Sequence, residues 1–375
     1  MSPRSAYLHV PFCRHRCGYC NFAVIAGRDD LAADYLRAIS KELSWLGEPR
    51  PVETLYFGGG TPTRLAIGPL RELLTLADHW FPAAEGVERE WTVEANPGDL
   101  SAESVELLAD LGVTRLSLGV QSLKPSKLLR LERDHTPEEV KTVVGAAREA
   151  GLGVAIDLIF AAPEESLEEW FDDVRDALQL EPHHISTYGL TYEKGSTFWA
   201  RRERQSLAEV DEDLQAQMYI GAIDLLTRSG FEHYEVSNHA QPGRRSRHNE
   251  AYWSGREYYA AGPGAARYVG GVRETNHRST TTYLRRVLAG QSPVAERETL
   301  SPEARARERM VFGLRRLEGL RRAEFRSAAG YSLDELAGET LARLVGHALL
   351  CDDGEVVRLT RRGLLVSDAI WPELL

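Results

Sequence analysis

Three cysteines fall within eight residues, in the run Pro11-Phe12-Cys13-Arg14-His15-Arg16-Cys17-Gly18-Tyr19-Cys20-Asn21-Phe22. Three thiolates at C-x3-C-x2-C spacing can hold three irons of a cubane. The fourth iron then lacks a protein ligand and is open to a small chelating molecule. A structural zinc site is the alternative, with His9 or His15 as its fourth ligand. A disulfide suits clustered cysteines poorly, because secreted frameworks spread them along the chain. The fourth cysteine, Cys351, stands alone and reads as a small buried hydrophobe.

Other residues offer binding chemistry. Gly58-Gly59-Gly60-Thr61-Pro62-Thr63 is a turn where the backbone can approach a ligand closely. Glu94, Gln121 and Asp157 end or lie within apolar runs, and Arg133 can pair with a carboxylate. His248-Asn249-Glu250-Ala251-Tyr252-Trp253 sets an imidazole, a good axial ligand for haem iron, beside two flat aromatic surfaces. Arg244, Arg245 and Arg247 precede it and can meet carboxylates. The bland readings are a solvated strand-end acid for Glu94, a surface arginine for Arg133 and a packed loop histidine for His248.

The elements that must position these groups alternate. Short β-type runs at Tyr7–Val10, Thr54–Phe57, Trp91–Glu94, Arg115–Gly119, Val154–Phe160 and His184–Tyr188 are separated by stretches of helical period. Ser101, Thr136 and Ser166 read as helix caps, and Pro137 as a first helical residue. Six strand-then-helix units predict a parallel sheet with helices outside, either open or curled into a barrel. The cysteines follow the first strand, at the edge where ligands of such sheets gather. Past Phe231 the pattern breaks, and residues 237–275 read as long loops. Helical pattern returns from about Ser301. The predicted division is a core over 1–236, a connecting region over 237–300 and a small domain over 301–375.

The chain has 375 residues and a formal net charge of −11, which argues against a nucleic-acid binder. No run approaches the roughly 20 apolar residues of a membrane span. The N-terminus has no signal-peptide core, so the cytoplasm is expected.

The cysteine spacing at the first βα loop resembles the signature of the radical S-adenosylmethionine (SAM) superfamily. The resemblance implies a partial (βα)6 barrel and a [4Fe–4S] cluster on Cys13, Cys17 and Cys20. It also implies SAM chelating the open iron and cleavage of SAM to a 5′-deoxyadenosyl radical. Tyr7-Leu8-His9-Val10-Pro11-Phe12-Cys13, the GGGTPT loop, VEANPG, SLGVQS, DLIF and ISTYGLTYEKGS resemble one subgroup more closely. It comprises the oxygen-independent coproporphyrinogen III oxidases and their relatives, the haem chaperones of the HemW type. By that resemblance Tyr7, Gly59, Gly60, Thr61, Glu94, Gln121, Arg133 and Asp157 contact SAM. The stretch from Arg358 to Leu365 resembles the subgroup's small, mainly helical C-terminal domain.

Three features favour the chaperones. Phe22 stands where the oxidases have a further cysteine, and the oxidases carry a longer stretch before the cluster. The HNxxYW run resembles the chaperones' motif, whose histidine is implicated in haem ligation; here that is His248. The expected function is binding haem and delivering it to a recipient, respiratory or other, with a homodimer among the expectations. Oxidative decarboxylation of coproporphyrinogen III is the second reading, and no catalytic residue is assigned. Ser246, Ala266 and the Ala161-Ala162-Pro163 turn depart from the relatives' pattern.

Overall fold

The computed structural model describes residues 2–375. Six strands lie side by side in chain order, all parallel: β1 Ser5–Val10, β2 Thr54–Gly59, β3 Glu90–Ala95, β4 Arg115–Gln121, β5 Gly153–Phe160 and β6 His184–Gly189. Helices α1 Ala32–Ser44, α2 Ile67–Trp80, α3 Ala102–Asp110, α4 Pro125–Arg130, α5 Pro137–Glu149 and α6 Leu167–Gln179 fall between them. Two more, α7 Thr197–Glu203 and α8 Glu212–Arg228, follow β6. Ser101 and Ser166 accept the expected capping bonds, and Thr136 closes a full capping box with Glu139. The expected partial barrel is the fold observed.

Alternation along the strands explains the curl. Leu8, Phe57, Trp91, Val93, Leu116, Leu118 and Ile156 turn outward into one apolar core against the helices. Their neighbours Tyr7, Tyr56, Glu94, Ser117 and Asp157 turn to the concave side. A parallel sheet buried on both faces reads as continuous apolar sequence. Period-two polarity here marks an interior meant to hold something polar.

The stretch past Phe231, including residues 237–275 read as loops, is structured. It contributes β7 Glu232–His233, β8 Asn238–Ala240, α9 Arg247–Trp253 and β9 Tyr259–Ala261, then a three-stranded antiparallel sheet of β10 Ala266–Val269, β11 Val272–Asn276 and β12 Val294–Thr299. Elements of two to seven residues are too short for a period to show. β9 pairs parallel with β1, Ala6 opposite Tyr259, while β8 runs antiparallel to β6. The sheet therefore has nine strands, ordered β9-β1-β2-β3-β4-β5-β6-β8-β7.

α10 Thr280–Leu288 packs on α1, and the tail adds α11 Pro302–Leu314, α12 Arg322–Ala329 and α13 Leu333–Gly346. Met310, Leu314, Phe325 and Leu344 of the tail belong to the same continuous core as the barrel helices. Among the described residues no helix is long and apolar enough to cross a membrane.

Candidate functional site: a cysteine loop over a polar barrel

The cysteine loop leaves β1 and returns as a short ladder in which Phe12 and Cys13 pair with Ile25 and Ala26. Gly27 N–H donates to Cys13 O at 3.1 Å and Cys20 N–H to Cys17 O at 3.0 Å. These bonds hold all three thiols on one partly buried loop. Burial pushes the Cys13 thiol up to about 12; Cys20 and Cys17 nearby add to this, and a bond with Thr61 opposes it. Burial also raises Cys20. Arg133 reaches over the loop, with Nη1 3.4 Å from Cys17 Sγ and Nη2 bonded to Asn96 Oδ1 at 2.9 Å and Gly119 O at 2.6 Å. Its Nε is buried without a partner. A fixed cation beside clustered thiols suits ligands that must become thiolates on binding metal.

Neither histidine is free to complete a zinc site. His9 Nδ1 bonds Tyr7 OH at 3.0 Å and its Nε2 bonds Ala23 O at 2.9 Å. His15 stands beside Cys17, with Nε2 3.7 Å from its Sγ, but that nitrogen is engaged by Glu132 O at 2.6 Å and Nδ1 faces Asp134 at 3.4 Å. The donor set is three thiols, which fits a cubane with one open iron better than a four-ligand zinc site.

The glycine turn runs directly beneath. Glu94 accepts from Tyr56 OH at 2.7 Å and from Gly59 N–H at 3.0 Å. Burial lifts its carboxyl to about 7, opposed by the Tyr56 bond and helped by the charge of Asp157. Asp157 is raised to about 6, again by burial, with a Ser186 bond opposing. Gly60 N–H donates to Val10 O at 2.8 Å and Thr61 N–H to Phe12 O at 2.7 Å, stitching the turn to the cysteine loop. Gln121 ends β4 with φ of 64°, where the register with β5 slips. Tyr7, Gly59, Gly60, Thr61, Glu94, Gln121, Arg133 and Asp157 thus share the barrel's mouth and concave face with the cysteines. Tyr56 and Asn96 belong to the same set and were missed; for Asn96 the signal was its place two residues after Glu94.

Gly59 has a steric reason as well. Its φ is +104°, and a Cβ there would stand 2.2 Å from the His9 ring. Gly59→Ala is expected to cost about 2–4 kcal/mol, from a strained backbone and a displaced buried imidazole. Chemical denaturation of the metal-free protein measures this directly.

The opposite end of the barrel is closed by α9. The amides of Arg247 and His248 donate to the two carboxylate oxygens of Glu90, at 3.0 and 2.9 Å, seating the helix N-terminus on a β3 carboxylate. His248 is buried and points up the barrel. Its Nδ1 lies 2.9 Å from Thr54 Oγ1, its Nε2 3.2 Å from Tyr252 OH, and its ring stacks on Tyr56 at 4.9 Å. Burial lowers its pKa to about 3, so the ring is neutral. Ser246 caps this helix by accepting from Asn249 N–H.

Two of the three arginines before the motif are used by the protein. Arg245 pairs with Glu232 and Glu250, Arg247 donates to Glu88 O and Glu53 O, and the carbonyls of Arg244 and Arg245 accept from Arg115. Arg245 and Arg247 are therefore not free to meet haem propionates as the sequence suggested.

The radical SAM superfamily pattern matches residues 7–177, and the HemN C-terminal domain matches residues 300–366. The chain is 36% identical to heme chaperone HemW of Lactococcus lactis, over 100% of this chain and 97% of that protein. It is 32% identical to heme chaperone HemW of Bacillus subtilis, over 98% of each. The solved structure of coproporphyrinogen III oxidase (HemN) from Escherichia coli superposes with a TM-score of 0.87, covering 100% of this chain and 90% of that one, at 22% identity. That likeness shows the shared fold. Identity above 30% along nearly the whole of both proteins shows more: the chain belongs to the HemW haem-chaperone family of the radical SAM superfamily.

Proposed function

We propose that the protein binds haem and passes it to a recipient haem protein in the cytoplasm, with a [4Fe–4S] cluster on Cys13, Cys17 and Cys20 and SAM in the barrel's mouth. What supports this reading is full-length similarity to proteins named heme chaperones, together with the placing of His248. When bound, the cluster and SAM supply one-electron chemistry. The chain's own residues do the rest: Arg133 offsets the thiolates, Glu94 and Asp157 offer carboxylates to a cationic ligand, and the Gly59–Thr61 backbone forms a close wall.

In this reading His248 is the haem ligand. Its Nε2 is held only by the Tyr252 hydroxyl, at 3.2 Å. Turning Tyr252 aside exposes a neutral imidazole, the form that ligates iron. A haem titration of the anaerobically reconstituted protein, followed at the Soret band, tests this. His248→Ala should weaken binding at least tenfold. Tyr252→Phe should strengthen it, because nothing then competes for Nε2. His248→Ala also leaves Thr54 and Tyr252 hydroxyls unpaired, at about 1–3 kcal/mol each, so its melting curve is recorded first. A folded His248→Ala protein with unchanged affinity would discard the ligand.

The second reading, oxidative decarboxylation of coproporphyrinogen III, has the whole-chain fold likeness on its side. Phe22, exposed to 66%, stands where those enzymes have a cysteine. Anaerobic incubation with SAM, a reductant and coproporphyrinogen III decides, since only this reading yields protoporphyrinogen.

A further inference from the structure

Beyond the barrel floor, between α9 and α11, lies a cleft of about 210 Å³. Tyr252, Trp253, Tyr258 and Phe312 give it aromatic walls. Tyr252 and Tyr258 meet edge to face at 4.5 Å, and Trp253 packs near Phe312 at 6.4 Å. Trp253 Nε1 is buried without a hydrogen-bond partner.

Tyr268, Gly255, four arginines and one glutamate complete the lining. Arg273 and Glu308 neutralise each other through two bonds, at 2.9 and 2.6 Å. Of the other three cations, Arg305 and Arg309 have no carboxylate partner among the described residues. Nor does Arg305 have a hydrogen-bond partner among them. Arg309 donates only to carbonyls, Ala328 O at 2.8 Å and Gly255 O at 3.5 Å. Arg256, by contrast, pairs with Glu53 at 3.9 Å. Two guanidiniums without a carboxylate partner beside an aromatic pit are a local reversal of charge in a chain whose formal net charge is −11. Such a patch attracts a ligand that is both flat and anionic.

We propose that this cleft holds the carboxylate-bearing edge of a tetrapyrrole, with Arg305 and Arg309 on the two propionates and the aromatic walls against the ring. The proposal rests on the haem reading and deepens it. Arginine is suited to the task because its planar fork matches a carboxylate. The volume fixes how much of the ligand is held. Pockets that enclose a drug-sized ligand run to roughly 300–1,000 Å³, so this cleft grips one edge and leaves the remainder outside. Partial burial suits a carrier that must let go. Tyr252 connects the cleft with the floor, since its ring lines one and its hydroxyl holds His248 in the other.

The test compares three ligands: haem, iron-free protoporphyrin IX, and haem dimethyl ester, whose propionates carry no charge. Each is titrated into the full-length reconstituted protein, the Arg305→Ala/Arg309→Ala variant, and a control lacking two exposed arginines, Arg37→Ala/Arg148→Ala. The expected result is at least a tenfold preference of the wild type and the control for haem over its ester. The double variant should lose that preference. Protoporphyrin IX cannot take an axial ligand, so its affinity should fall in the double variant and stay unchanged in His248→Ala. Wild-type protein that binds haem and its ester equally overturns the cleft and spares the haem reading. Wild-type protein that binds no porphyrin overturns both.

Discussion

Replacing any one of Cys13, Cys17 or Cys20 by alanine should bring the iron and acid-labile sulfide of the anaerobically reconstituted protein to background, while Cys351→Ala leaves them unchanged. A cubane already short of one protein ligand cannot spare another. The fold should survive, because the loop is held by backbone bonds such as Gly27 N–H to Cys13 O, not by thiol packing. Loading has a pH sign. The Cys13 thiol stands near 12 in the metal-free protein, so binding iron expels its proton and is favoured by higher pH. Full iron and sulfide in any one of the three variants would move the cluster elsewhere.

Glu94→Gln should reduce the pH dependence of SAM binding to what Asp157 contributes and weaken binding by one to two orders of magnitude, while making the metal-free protein more stable at pH 8. The carboxyl is raised from 4.5 to about 7, so the folded chain holds a proton that the unfolded chain has lost. Stability from this group is therefore present below about pH 4.5 and falls as pH rises to about 7. At about 1.36 kcal/mol per unit the charged carboxylate costs about 3 kcal/mol at pH 8, less what solvent at the barrel's mouth screens. Glutamine relieves that cost and keeps an acceptor for Tyr56 and Gly59. SAM carries a sulfonium and an ammonium, and it favours the ionised carboxylate. Wild-type affinity should rise roughly tenfold between pH 6 and pH 8 as Glu94 charges. Calorimetric titration at the two pH values, beside urea melts, measures both effects. A variant that binds SAM as the wild type does would remove Glu94 from the site.

The sequence was informative where elements are long or spacing is chemical. All six core strands stand within two residues of their expected ends, because each carries several turns of a period-two pattern. The cysteine loop was legible as C-x3-C-x2-C following a strand. Glu94, Asp157 and Arg133 were found through resemblance; alone, each is an ordinary charged residue whose burial depends on tertiary packing. The floor was not legible. His248 follows three arginines in a polar run, and nothing local says that Glu90, far earlier in the chain, draws the helix N-terminus beneath the barrel. Tyr56 was hidden for a similar reason: a tyrosine in a strand gives no sign that it bonds Glu94 on one side and stacks on His248 on the other.

The pairing of β9 with β1 has a consequence for the order of folding. Ala6 meets Tyr259, so the first strand of the sheet is completed by one that leaves the ribosome about 250 residues later. At roughly 5–20 residues per second the outer edge of β1 stays open for some tens of seconds during synthesis. Contacts that span such a length are also slow to form. The cysteine loop grows from the other end of that same strand, and Gly262 seals against His9 only once β9 has docked. The nascent chain thus presents its thiols before its barrel is shut, and one edge of its first strand stays unpaired throughout that interval.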